Sequence, residues 1–122
     1  MADGVREAWT EAGREGAPRL AGLAYFSLGE DAQQTAGDYL TDYHAFLGDE
    51  VAQMTAGSAA TDAETVKGYL AGFEAVGCDE LVMFPCSGDP AQADMLAEAV
   101  KWPGLRRSVR ITALSRNGLP YR

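Results

Sequence analysis

Few side chains in this sequence are of a type that does chemistry, and their spacing decides what each could do. His44 is the only histidine. An imidazole that moves protons or binds metal needs partners, and no Cys, Asp or Glu is spaced to join it. Following Tyr43 in a helical pattern, it is expected on a solvent-facing side of a helix. The run Cys86-Ser87-Gly88 joins an apolar segment to a helix start. A thiol and a hydroxyl there are placed to line the rim of a substrate pocket, or to flank an anion at the helix N-terminus. The same residues suit a plain tight turn before a cap, and Asp89 beside them would repel an anion. Glu30 and Asp31 are adjacent carboxylates, yet they read better as first-turn charge favoured by the helix dipole than as an acid–base pair. Cys78 and Cys86 bracket the apolar segment. Along an extended strand they stand roughly 20 Å or more apart, beyond disulfide reach. Both are expected as reduced thiols, with Cys78 a small core residue. The sequence holds no Walker-type loop, no dinucleotide glycine fingerprint, no Ser/His/Asp set and no metal-ligand cluster.

The elements that must position these residues are marked by periodicity and punctuation. Val5, Ala8, Trp9 and Ala12 share one face of a helix over 2–12, closed by Gly13. Residues 19–28 read as a largely apolar strand, in which Gly22 signals close packing or a bulge. Asp31 with Gln34 resembles a capping box. The helix it opens runs to about Leu47 with Ala32, Ala36, Tyr39, Leu40, Tyr43, Phe46 and Leu47 as its stripe. Residues 48–54 add a short helix and 55–60 a linker. Thr61 and Glu64 form a second capping box for a helix whose buried stripe is Val66, Tyr69, Leu70, Phe73 and Val76. Gly77 closes it in a left-handed cap. Leu81–Phe84 is an unbroken apolar run, which suits a strand buried on both faces. Asp89-Pro90, with Gln92 three positions after the Asp, starts the last helix.

Bulk composition bounds the reading. A chain of 122 residues makes one domain, and 47% hydrophobic with 23% charged content is that of a folded one. The net charge of −8 makes nucleic acid and anionic membrane poor partners for the body. No apolar run approaches the roughly 20 residues that span a bilayer. Without an export signal, a cytoplasmic location is expected. The charge is unevenly spread. All 18 acidic residues lie in 1–100, while 101–122 holds six Lys and Arg and no acid. Residues 101–122 are expected to form a separate, irregular basic tail.

Strands alternating with helices predict an α/β chain with a parallel sheet. Two strands alone leave two open edges and are marginal. A third strand from the tail, a partner chain or a larger parent fold would complete them, and the last is the favoured expectation.

Ala8-Trp9-Thr10-Glu11-Ala12-Gly13-Arg14, then Pro18-Arg19-Leu20 leading into Leu23-Ala24-Tyr25-Phe26-Ser27-Leu28-Gly29, resembles the late part of the luciferase-like monooxygenases. So does Ala75-Val76-Gly77-Cys78-Asp79-Glu80-Leu81-Val82-Met83-Phe84-Pro85. The likeness covers roughly 5–100. It implies a βαβα portion of a flavin- or deazaflavin-dependent (β/α)8 TIM-type barrel, with two parallel strands, flanking helices and an incomplete barrel. Cys86, Ser87 and Gly88 would then sit at the active-site rim, past a strand's C-terminal end. The family's cofactor site is built chiefly from earlier strands and loops, so neither FMN nor a deazaflavin is expected to bind this chain alone, and no catalytic residue is carried over. After Val100 the sequence departs from the pattern, as an extension or an out-of-frame end. A barrel half that complements it, or a homo-oligomer, is the implied partner. The rival reading is a small acidic α/β interaction module that oligomerises to complete its sheet.

Overall fold

Glu80–Pro85 (β2) is the middle strand of a three-stranded parallel sheet in a computed structural model that describes residues 1–101 and 110–113. Ala21–Phe26 (β1) pairs along one side of it and Arg110–Ala113 (β3) along the other. The helices are Ala2–Glu11 (α1), Ala32–Tyr43 (α2), Asp49–Gly57 (α3), Ala63–Ala75 (α4) and Ala91–Val100 (α5), with a 3-10 turn at Ala45–Leu47 after α2. The α/β class is as the sequence implies. Two expectations change. Three strands are present rather than two, because residues 110–113, within the stretch expected to be irregular, pair with β2. The far edge of β2 is therefore supplied by this chain. The rest of that tail lies outside the described residues.

The sheet is covered unequally. Ala24, Phe26, Leu81 and Met83 share one face, where Val66 and Leu70 of α4 and Leu96 and Ala99 of α5 close over them. On the opposite face Leu23 is 52% exposed, and Tyr25, Val82 and Phe84 are half-buried. The apolar run in β2 is thus buried on alternate residues and not on both faces. Gly22 lies on the covered side for a steric reason. A Cβ there would stand 2.3 Å from Phe73 Cε1, so only glycine lets the ring lie against the strand.

Helix ends follow local chemistry, with some exchanges of partner. Gly77 has φ +73, and the Gly77 and Cys78 N–H groups donate to the Glu74 and Phe73 carbonyls, a Schellman closure of α4. Gly13 closes α1 in the same way, with φ +68. The expected capping boxes do not form. The cap of α4 is Asp62, which accepts from the Thr65 N–H at 2.7 Å, while Glu64 pairs with Lys67. Asp31 adopts φ 56 and makes no cap bond, and Gln34 donates to Asp38 instead. Asp89 accepts from the Ala91 N–H at 2.9 Å, but Gln92 reaches away, to Leu28. Two predicted stripes remain partly uncovered. The helix expected to reach Leu47 ends at Tyr43; Ala32, Ala36 and Leu40 of α2 are buried, while Tyr43 (57%) and, in the 3-10 turn, Phe46 (79%) and Leu47 (48%) are exposed. In α1 no residue is buried.

Candidate functional site

The C-terminal ends of β1 and β2 bring together residues that the sequence sets far apart. Tyr25 projects from β1 and Phe84 from β2, with ring centroids 6.1 Å apart. α2 ends at Tyr43, and the non-helical backbone of His44 (φ −102) marks the close of the helix. Its ring packs edge-on to Tyr25 at 5.9 Å and to Tyr43 at 4.9 Å. Tyr39 stacks on Tyr43 at 5.9 Å, one helical turn earlier. His44 is therefore not the solvent-facing residue expected from periodicity; it is half-buried among aromatic rings. Its Nδ1–H donates to the Leu40 carbonyl at 3.0 Å.

The three residues expected at a pocket rim have different fates. Cys86 is 4% exposed and packs with Ala36, Leu40 and Ala59. Ser87 is half-buried and its Oγ accepts from the Asp89 N–H at 3.2 Å. Gly88 is exposed. Burial pushes the Cys86 thiol up to about 11, so at neutral pH it is protonated and a poor nucleophile. Tyr25 is also raised, first by burial and then by Tyr43, Tyr39 and Cys86. The site thus offers neutral donors and ring faces and no charged nucleophile. Cys78 is buried and its Sγ meets the Leu20 and Glu80 carbonyls at 3.4 Å; both cysteines are free.

The loop after β2 does not fit a flavin phosphate. Asp89 already takes the Ala91 N–H at the start of α5 and places a carboxylate where the anion would lie. Among the described residues no group of three His, Cys, Asp or Glu could hold a metal ion. An open groove of about 940 Å³ lies elsewhere, between α4 and α5, lined by Leu28, Asp62, Lys67, Met95, Glu98 and Lys101 among others. Its charges are engaged locally: Lys67 with Glu64 at 2.8 Å, Lys101 with Glu98 at 2.6 Å, and Asp62 in its cap. No family model, curated protein or solved structure matches the chain. Among the described residues no helix is long and apolar enough to cross a membrane.

The aromatic cluster was not assembled by sequence reasoning. Tyr39 and Tyr43 at helical spacing were its visible half. Tyr25 and His44 carried no signal, because what joins them is the end of a helix folding back over a strand.

Proposed function

We propose that this chain is a βαβα segment of a luciferase-like flavin- or deazaflavin-dependent oxidoreductase barrel, and that it is not catalytically competent alone. The observation that carries the reading is the unequal cover of the sheet. A barrel wall has helices outside and bulky side chains inside, stacked in layers. Here the face under α4 and α5 is closed, while Leu23, Tyr25, Val82 and Phe84 form a bulky, half-open face. The motifs around Trp9, Tyr25 and Leu81 support the same family. The two free cysteines fit a reducing, cytoplasmic setting.

A second reading has its own support. Tyr43, Phe46, Leu47, Val51 and Met54, all more than a third exposed, fall within the consecutive elements α2, the 3-10 turn and α3. Such exposed apolar residues also suit an acidic α/β module that self-associates.

Titration of FMN and of a 5-deazaflavin with the purified chain, read by flavin fluorescence, is expected to show no change. Adding the early βα units of a luciferase-like oxidoreductase, made without its last two, is expected to give binding that neither part shows alone. A mixture that binds no better than the early units would overturn the barrel reading. A stable dimer by sedimentation, with no effect in the mixture, would favour the module.

A further inference from the structure

β2 has two edges with unequal neighbours. β1 pairs with all of its residues, from Ala21 against Glu80 to Phe26 against Pro85, whereas β3 pairs only with Glu80, Leu81, Val82 and Met83. On the β3 side, Phe84 and Pro85 have no strand partner among the described residues. β3 is also of mixed character. Paired residues of parallel strands point to the same side of the sheet. Ile111 and Ala113 therefore lie with Leu81 and Met83 on the face under α4 and α5, and pack against that core. Arg110 and Thr112 lie with Glu80 and Val82 on the half-open face, where Arg110 is exposed and Thr112 Oγ1 donates to the Glu80 carboxylate at 2.8 Å. A barrel interior is filled by layers of bulky, mostly branched side chains. An exposed Arg and a Thr bonded to a carboxylate do not make such a layer, so β3 is a stand-in on this edge and not a barrel strand.

We propose that β3 is an autoinhibitory strand: it occupies the β2 edge that a complementing barrel half would pair with, and it has to leave before that half docks. The inference rests on the barrel reading given above. A barrel closes only when every strand has a neighbour on both sides, so the other half must reach β2 along the side that β3 now holds. The β3 ladder takes the backbone groups that docking needs. The Arg110 N–H donates to the Asp79 carbonyl at 2.9 Å, and by the alternation of a strand the Thr112 N–H is the next β3 donor on that side. Two strands cannot share one edge, so the ladder and the docked half exclude each other. An edge that is open only part of the time lowers the apparent affinity by the open fraction.

The test compares the natural chain with Thr112→Pro, which removes that donor and the bond to Glu80. Each is titrated into fluorescein-labelled early βα units of a luciferase-like oxidoreductase, made without its last two, with anisotropy as readout. Thr112→Pro is expected to bind at least about tenfold more tightly, as the open fraction rises. Hydrogen exchange on the natural chain gives a second readout that needs no variant. On adding the early units, the Thr112 amide should lose protection while the Leu81 and Met83 amides, which face the same edge, keep theirs. Circular dichroism checks that the variant is folded, and if it is not, the exchange result decides. Equal affinities for the two folded chains, or a Thr112 amide still protected in a mixture that binds, would overturn the autoinhibition and leave the barrel reading standing. Early units that bind neither chain would overturn both.

Discussion

Gln92 grips Leu28 by both of its backbone groups. Its Oε1 accepts from the Leu28 N–H at 2.9 Å and its Nε2 donates to the Leu28 carbonyl at 2.8 Å. Both residues are buried, so one amide side chain stands in for a strand neighbour just past the end of β1. Gln92→Leu keeps the volume and leaves two buried backbone groups unpaired. Each costs about 1–3 kcal/mol, so urea denaturation is expected to show a loss of about 2–6 kcal/mol. A loss below about 0.5 kcal/mol would mean that water replaces the amide freely.

Gly22 and Phe73 are expected to behave as one unit. Gly22→Ala puts a methyl 2.3 Å from the Phe73 ring and should cost about 1–3 kcal/mol. Combined with Phe73→Leu, the two losses should sum to more than the double variant shows, because the smaller side chain makes room. Simple additivity in a denaturation cycle would refute the contact.

Alkaline stability should report on Cys86. Its thiol has an ordinary value of 9.0 and is held at about 11 in the fold. Between these limits the native state keeps a proton that the unfolded chain releases, so the thiol's contribution is intact below pH 9 and is lost as pH rises toward 11. The loss is on the order of 2 kcal/mol. Tyr25 is raised as well and acts in the same direction at higher pH, so Cys86→Ala is the control. Its urea midpoint should fall less between pH 8.5 and 10.5 than that of the natural chain. Equal slopes would show that the thiol is not desolvated.

What the sequence made legible was punctuation and periodicity. Gly77 and Gly13 close helices because glycine alone reaches positive φ cheaply, and Gly22 marked a close approach that Phe73 fulfils. The capping partners were less legible. Gln34, Glu64 and Gln92 each stand three residues after an expected cap, yet each found a better partner in Asp38, Lys67 and Leu28. A local rule cannot see a competitor brought in by the fold. The both-face burial expected of Leu81–Phe84 failed for a related reason, since an apolar run does not state how many layers its chain supplies. A third strand from the tail was one of three ways to complete the sheet and not the favoured one, because only two of Arg-Ile-Thr-Ala are apolar and their strand character comes from the edge they meet. His44 was misplaced because helical spacing ends where the helix does.

Glu80 gives the third strand an unusual dependence. Its carboxylate accepts from Thr112 Oγ1 at 2.8 Å and from the Arg19 guanidinium, so one side chain on the middle strand ties to β3 and to the segment entering β1. The Thr112 bond first, then Arg19 and Arg110, hold it below the usual carboxylate range. Among the described residues β3 is otherwise held by a four-residue ladder and by Ile111 and Ala113, which pack against the α4–α5 core without being fully buried. Only acid below the ordinary carboxylate range protonates Glu80, and it then removes the tie between β3 and the segment entering β1. One carboxylate thus makes the seating of the sheet's margin answer to the acidity around it.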